Sequence, residues 1–240
     1  MRLVLSLRQM VRISLLSILA VALSAPIAHA SGGGHVLPPS ATPYGYSLKE
    51  MAQLVAPFTT SGNNPTYYPD TPIQVLYVDF STVEDDPSGG GLSYTGSNVI
   101  TAETGTKFYV PIWSANDSPL VAGDFPTTPE AARPYFFEQS QLGGRGFEIV
   151  VDGKSTKIGP AYLAGPVRAE LLDDDGDPDT PLGTHIMTLG AFLGPLSPGT
   201  HTVTMRGGLF GDLIQSTYDI EFLQADYTYT VKVVTHRPKS

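Results

Sequence analysis

The sequence predicts an all-β fold: an antiparallel β-sandwich, immunoglobulin-like or jelly-roll-like, with one short N-terminal helix and a barrel as the alternative. Three observations carry this. Eight runs of strand length are rich in β-branched and aromatic residues. The 25 glycines and 21 prolines fall mostly between those runs rather than inside them. The last run shows its two faces, with Tyr227, Tyr229, Val231 and Val233 alternating against Thr228, Thr230, Lys232 and Val234.

Residues 1–30 have the pattern of a cleavable secretory signal peptide. Arg2, Arg8 and Arg12 stand without an acid among them, an apolar run from Ile13 to Ala25 follows, and Ala28-His29-Ala30 supplies the small residues of a cleavage site. The apolar run is shorter than the roughly 20 residues that a spanning helix requires. No second apolar span follows, so the product is expected to be secreted or periplasmic, with no transmembrane anchor after cleavage. Cleavage would leave 11 Lys+Arg against 23 Asp+Glu, a net charge of −12 compared with −9 for the whole chain. Such a field argues against nucleic acid as a partner and favours cations. The chain has no cysteine, so its stability must come from core packing rather than disulfides.

Residues 31–43, with three consecutive glycines and a proline-rich stretch, read as a flexible leader, and residues 44–236 as a single domain. At about 210 residues the mature chain buries enough surface for one well-packed core. Ser47-Leu-Lys-Glu50 is a capping box, and Leu48, Met51, Ala52 and Val55 follow one helical face until Pro57, where the helix is expected to end.

The expected strands are Ile73 to Phe80, Lys107 to Ile112, Phe147 to Val151, Val167 to Leu172, His185 to Phe192, Thr200 to Met205, Thr217 to Leu223 and Tyr227 to Val234. Asp152-Gly153 reads as a type I′ hairpin turn into Ser155 to Ile158, and Ser197-Pro198-Gly199 as a type II turn between adjacent antiparallel strands. Between Ser114 and Gly146 lies a long excursion in which Pro129 to Gln141 begins like a helix that Pro134 would cut short. Long excursions in compact domains are often functional, so a binding surface is expected there.

Gly105-Thr-Lys-Phe-Tyr-Val-Pro-Ile112 and Phe192-Leu-Gly-Pro-Leu-Ser-Pro-Gly-Thr-His-Thr-Val203 give the chain a family resemblance. It resembles a group of uncharacterised secreted bacterial β-sandwich proteins with a PLSPGTHTV-type run leading into a strand. The resemblance covers residues 105–234 and includes the Val151-Asp152-Gly153 hairpin and the Tyr-rich closing strand. The chain departs from the group in lacking upstream tryptophans and cysteines. The resemblance implies the fold and carries no activity onto any residue.

Chemistry-bearing patterns are few. Asp173, Asp175, Asp177 and Asp179 alternate around Gly176, which is how hard oxygen ligands converge on Ca²⁺, although the EF-hand register fails because Leu171 and Leu182 occupy its first and last positions. The competing account is a solvated acidic turn. His185 and His201, with Met187 and Met205, would offer a soft-metal site if their strands paired; otherwise each is a half-buried histidine bonded to a turn. Gly91-Leu-Ser-Tyr-Thr-Gly96 misses the nucleophile-elbow spacing by one residue and reads as a glycine-rich loop. Trp113, Tyr135 and Phe137 are the aromatics placed where exposure and sugar stacking are expected.

These readings combine into a secreted non-catalytic β-sandwich module, calcium-stabilised at Asp173 to Asp179, that binds an extracellular ligand such as a glycan or envelope component. The alternative is a secreted polysaccharide-directed hydrolase with carboxylates drawn from strands distant in sequence.

Overall fold

The capping box at Ser47 forms as its spacing requires. Ser47 Oγ accepts the Glu50 N–H at 3.3 Å, and the Glu50 carboxylate accepts the Ser47 N–H at 2.7 Å. The helix it opens, α1 (Leu48–Thr60), runs on past Pro57 for a further turn. Phe58, fully buried and edge-on to Tyr68 and Tyr77, holds that extra turn in place. The computed structural model describes residues 35–119, 121–172 and 182–235. The expected signal peptide, residues 31–34 of the expected leader and the acidic run 173–179 therefore lie outside the described residues, while residues 35–43 of that leader are described, with Val36 bridged antiparallel to Leu193.

Ten strands follow among the described residues: β1 (Gln74–Val75), β2 (Glu84–Asp86), β3 (Leu92–Glu103), β4 (Phe108–Asn116), β5 (Gly144–Val151), β6 (Lys154–Lys157), β7 (Leu163–Arg168), β8 (His185–Leu193), β9 (Gly199–Leu209) and β10 (Leu223–Val234). They form a four-stranded sheet of order β1-β4-β8-β7 and a six-stranded sheet of order β2-β3-β10-β9-β5-β6. Two further helices, α2 (Pro129–Phe137) and α3 (Asp212–Tyr218), interrupt the strands. The fold is mostly β, without a closed barrel.

Burial explains the strand sequences. Val110 and Ile112 of β4 and Leu189 and Ala191 of β8 face Ile149, Val203, Met205, Tyr229 and Val231 of the six-stranded sheet in the main core. The opposite face of the small sheet, with Tyr109, Ile186 and Phe192, lies under Met51, Ala52 and Val55 of α1. Strand β8 is thus covered on both sides, which is why it reads as a near-continuous apolar run rather than an alternating one. The outward face of the six-stranded sheet carries Thr95, Ser97, Thr202, Arg206, Thr228, Thr230 and Lys232, all exposed or half-buried. Tyr227, Tyr229, Val231 and Val233 point inward, as the alternation predicts.

Several expectations are corrected. The sheets are mixed rather than antiparallel, because β1 pairs parallel to β4 and β3 pairs parallel to β10 over its whole length. There are three α-helices among the described residues, not one. Gly91 to Gly96 is mostly strand: a Cβ on Gly96 would sit 2.6 Å from the Tyr227 ring, so glycine there lets β3 lie against β10. Thr217 to Leu223 is the end of α3, which Asp219 closes in the left-handed region at φ 57°, then a loop, with only Leu223 in a strand, as the first residue of β10. Its alternating Tyr218 and Ile220 pack on the main core from outside the sheets. The Ile73 to Phe80 run supplies only β1. The Asp152-Gly153 turn is as expected, with both residues at positive φ (49° and 82°) and Val151 paired with Lys154. Ser197 to Gly199, by contrast, crosses between sheets, since β8 and β9 belong to different ones.

Candidate functional site

Trp113, in β4, and Tyr135 and Phe137, in the long excursion, all pack in or against the main core. Tyr135 is only 5% exposed, contrary to the exposure expected for it, and its hydroxyl donates to the Ala122 carbonyl at 2.7 Å. Desolvation there pushes its phenol up to about 12. Trp113 and Phe137 are half-buried and pack edge-on against Phe147 at 6.3 and 6.4 Å. The amphipathic face of α2 explains this, because Ala132, Tyr135 and Phe136 are the residues it turns to the core. A shallow groove of about 470 Å³ beside α2 is lined by Asp124, Pro134, Tyr135, Glu138 and Leu213, without Trp113 or Phe137.

His185 and His201 do not meet. His185, at the start of β8, lies 3.2 Å through Nδ1 from Asp117 Oδ2. Asp117 Oδ1 also accepts the backbone N–H groups of Thr184 and His185 at 2.7 and 2.8 Å. Burial works against the Asp117 carboxylate, yet the two backbone donors and the His185 ring outweigh it and hold its pKa below the ordinary 3.8. Met187 and Met205 are buried in the main core, so the soft-metal arrangement is not formed. Among the described residues no group of three or more His, Asp or Glu side chains is placed to hold a metal ion. The acidic run Asp173, Asp175, Asp177 and Asp179 lies outside the described residues. Its flanks are tied down, Leu172 N–H to Thr60 Oγ1 at 2.8 Å and Gly183 N–H to Ser118 Oγ at 3.0 Å.

His201 forms a constellation that resembles a hydrolytic triad in composition but not in chemistry. Its Nδ1 is 2.7 Å from Asp152 Oδ2, and Ser197 Oγ is 3.4 Å from its Nε2. The Ser197 backbone carbonyl is nearer, at 2.8 Å from the same Nε2. A carbonyl can only accept, so Nε2 donates to it and is not free to take a proton from the serine hydroxyl. The ring is fully buried. These contacts fasten the β5–β6 turn to the crossover before β9 and leave no nucleophile.

A second groove lies elsewhere, on the outward face of the six-stranded sheet. A groove of about 500 Å³ is lined by Ser93 and Thr95 of β3, Gln224 and Asp226 of β10, Arg206 and Gly208 of β9, and Arg145, Gly146 and Phe210 beside them. That volume is within the range of small-molecule sites. Register assembles it: Ser93 sits opposite Gln224, which sits opposite Gly208, and Thr95, Asp226, Arg206 and Glu148 form the next row. Arg206 donates through Nε to Asp226 at 3.1 Å and through Nη1 to Glu148 at 3.2 Å. Arg145 stands at the bulge between Arg145 and Glu148 with its guanidinium 4.3 Å over the Phe210 ring. Gln224 Nε2 donates to Ser93 Oγ at 2.8 Å.

Sequence reasoning did not single out this groove. Its residues come from four strands and a loop, and the local signals were two Arg-Gly steps, Arg145-Gly146 and Arg206-Gly207-Gly208, where glycine removes side-chain bulk beside a cation.

No family model matches the chain, and no curated protein matches it. Among solved structures it is similar to one described as the structure of PbICP-C in complex with falcipain-2, at 10% sequence identity and a TM-score of 0.24, covering 66% of this chain and 99% of that one. A likeness of that size carries no argument about this chain.

Proposed function

We propose that the protein is an exported, non-catalytic β-sandwich module that binds an extracellular ligand, a glycan or envelope component, in the groove on the outward face of its six-stranded sheet. The observation that carries this reading is the groove itself: a concavity floored by strands and glycine and lined by paired polar side chains, with Thr95, Arg206, Gln224 and Asp226 exposed along it. Preformed concave sites with a few convergent polar groups are the usual form of a binding site. The main core shared by the two sheets supports the sandwich architecture. The signal-peptide pattern of residues 1–30 supports secretion or a periplasmic location. Calcium at Asp173, Asp175, Asp177 and Asp179 belongs to the same proposal, as a stabiliser of the loop between β7 and β8.

The hydrolase alternative finds no favourable geometry in this groove. The two carboxylates that share a row with Arg206, Glu148 and Asp226, are both bonded to its guanidinium, which stands between them where a glycosidic oxygen and its water would have to sit.

The test is an amide chemical-shift titration of residues 31–240 with soluble neutral and acidic oligosaccharides. Shifts confined to Gly146, Gly208, Gln224 and their neighbours are expected. Shifts confined to the α2 groove, or no shift with any sugar, would sink the proposal.

A further inference from the structure

We infer that the groove selects a saccharide bearing a single carboxylate, with Arg145 as the group that takes the acid; this rests on the groove being the binding site. The two cations in the groove are not equivalent. Arg206 is already spent on Asp226 and Glu148, two acids on two different guanidinium nitrogens. Arg145 is exposed and makes no ion pair among the described residues.

Phe210 fixes where Arg145 points. One face of its ring lies under the guanidinium at 4.3 Å, and the ring also stacks with Phe222 at 5.7 Å and 30°. With those contacts made, Phe210 serves as a platform that orders the arginine instead of a stacking surface for sugar. A guanidinium seated over a ring keeps N–H donors for a carboxylate, which it can meet bidentately with less ordering entropy left to lose.

Space and hydroxyl partners lie beside it. Gly146, at φ 71°, has no atom within 4 Å of where a Cβ would be, so the groove is open next to Arg145. The Ser93–Gln224 pair and Thr95 offer donors and acceptors to ring hydroxyls.

The charge of the chain sets the number of acids. A net −9, or −12 after cleavage, repels a polyanion, while screening over about 8 Å at physiological salt leaves a local cation free to hold one charge. The ligand is therefore an acid-capped neutral oligosaccharide and not a polyuronate.

The test compares an aldotetraouronic acid, one glucuronate on a neutral xylose chain, with its carboxyl-reduced tetrasaccharide. Binding to residues 31–240 is followed by calorimetry and by the groove amides. The acid should bind at least about tenfold tighter than the reduced sugar, the scale of one charge-assisted contact. Arg145→Ala should bring the two sugars to parity without changing the thermal midpoint, and Arg145→Lys should keep part of the preference. If both sugars shift the groove amides equally in the wild type, or if Arg145→Ala keeps the preference, the selectivity is wrong and the groove stands. If neither sugar shifts a groove amide, the groove reading falls and the selectivity with it.

Discussion

His201 Nδ1 and Asp152 Oδ2 lie 2.7 Å apart, joining a fully buried ring on β9 to a carboxylate at the tip of the β5–β6 turn. Asp152 adopts φ 49° and also accepts the Thr202 N–H at 2.9 Å, so one side chain holds the turn in two directions. His201→Ala should therefore destabilise the protein by about 2–3 kcal/mol, because it leaves the Asp152 carboxylate and the Ser197 carbonyl without their partner. Asp152→Asn keeps an acceptor and tolerates the turn, and should cost less. Ser197→Ala should be nearly silent, since the ring is held by the Ser197 carbonyl. Urea unfolding of the three variants checks this, and a Ser197→Ala cost matching that of His201→Ala would show that the hydroxyl matters after all.

Asp117 gives the fold a defined acid sensitivity. Its folded pKa lies below its ordinary 3.8, held there against burial by the His185 and Thr184 N–H groups and the His185 ring. A depressed carboxylate contributes stability that is present above the unfolded value and is lost as pH falls through the folded one. Wild-type stability should therefore fall more steeply below about pH 4 than that of Asp117→Asn, measured by urea midpoints from pH 6 to pH 2. Parallel profiles would contradict the role given to Asp117. At neutral pH the same variant should be less stable than the wild type, since an amide oxygen is a weaker acceptor for two N–H donors.

The parts of the fold written locally were legible. The Ser47–Glu50 box, the Asp152-Gly153 turn and the alternation of Tyr227 to Val233 each depend on a few adjacent residues, and each appears where the sequence places it. Partner choice was not legible. Strand β3 alternates Ser93, Thr95 and Ser97 against Tyr94, Gly96 and Asn98, a pattern with little hydrophobic contrast, and its place is set by the parallel register with β10. Tyr218 and Ile220 alternate like a strand but answer to a core outside the sheets, the usual way tertiary packing overrides a local period. The groove was hidden for the same reason, because Arg145, Arg206 and Gln224 become neighbours only through the pairing of β5, β9 and β10.

Tyr109 carries a polar atom at a cost. Its ring is fully buried beneath α1, and its hydroxyl has no hydrogen-bond partner among the described residues. Desolvation alone raises its pKa far above the ordinary phenol value. Tyr109→Phe should stabilise the protein by about 1–2 kcal/mol, the cost of an unsatisfied buried hydroxyl removed with little change in shape. Gly190 lies against the same oxygen, 2.5 Å from where its Cβ would be, so Gly190→Ala should be destabilising and only partly rescued in the Tyr109→Phe background. A lower urea midpoint for Tyr109→Phe would mean that the hydroxyl is satisfied in solution.

Calcium is the prediction on which the acidic run turns. The run Asp173 to Asp179 is flanked by anchored backbone, with Leu172 bonded to Thr60 and Ala169 N–H donating to the Thr184 carbonyl at 3.0 Å. Loop ends fixed in this way reduce the ordering that a cation must impose before alternate carboxylates can converge on it. A ligand that binds the native state alone stabilises it by about 2.7 kcal/mol at a hundred times its dissociation constant, which for a chain of this size raises the thermal midpoint by roughly 5–10 °C. Residues 31–240 should accordingly melt higher in millimolar Ca²⁺ than in EDTA, and Asp175→Asn with Asp177→Asn should abolish the difference while leaving the EDTA midpoint unchanged or slightly higher, because two like charges are removed from a crowded run. Equal midpoints in the two buffers would make the run a solvated acidic turn, and the charge it adds would then matter only for repelling polyanions from the chain.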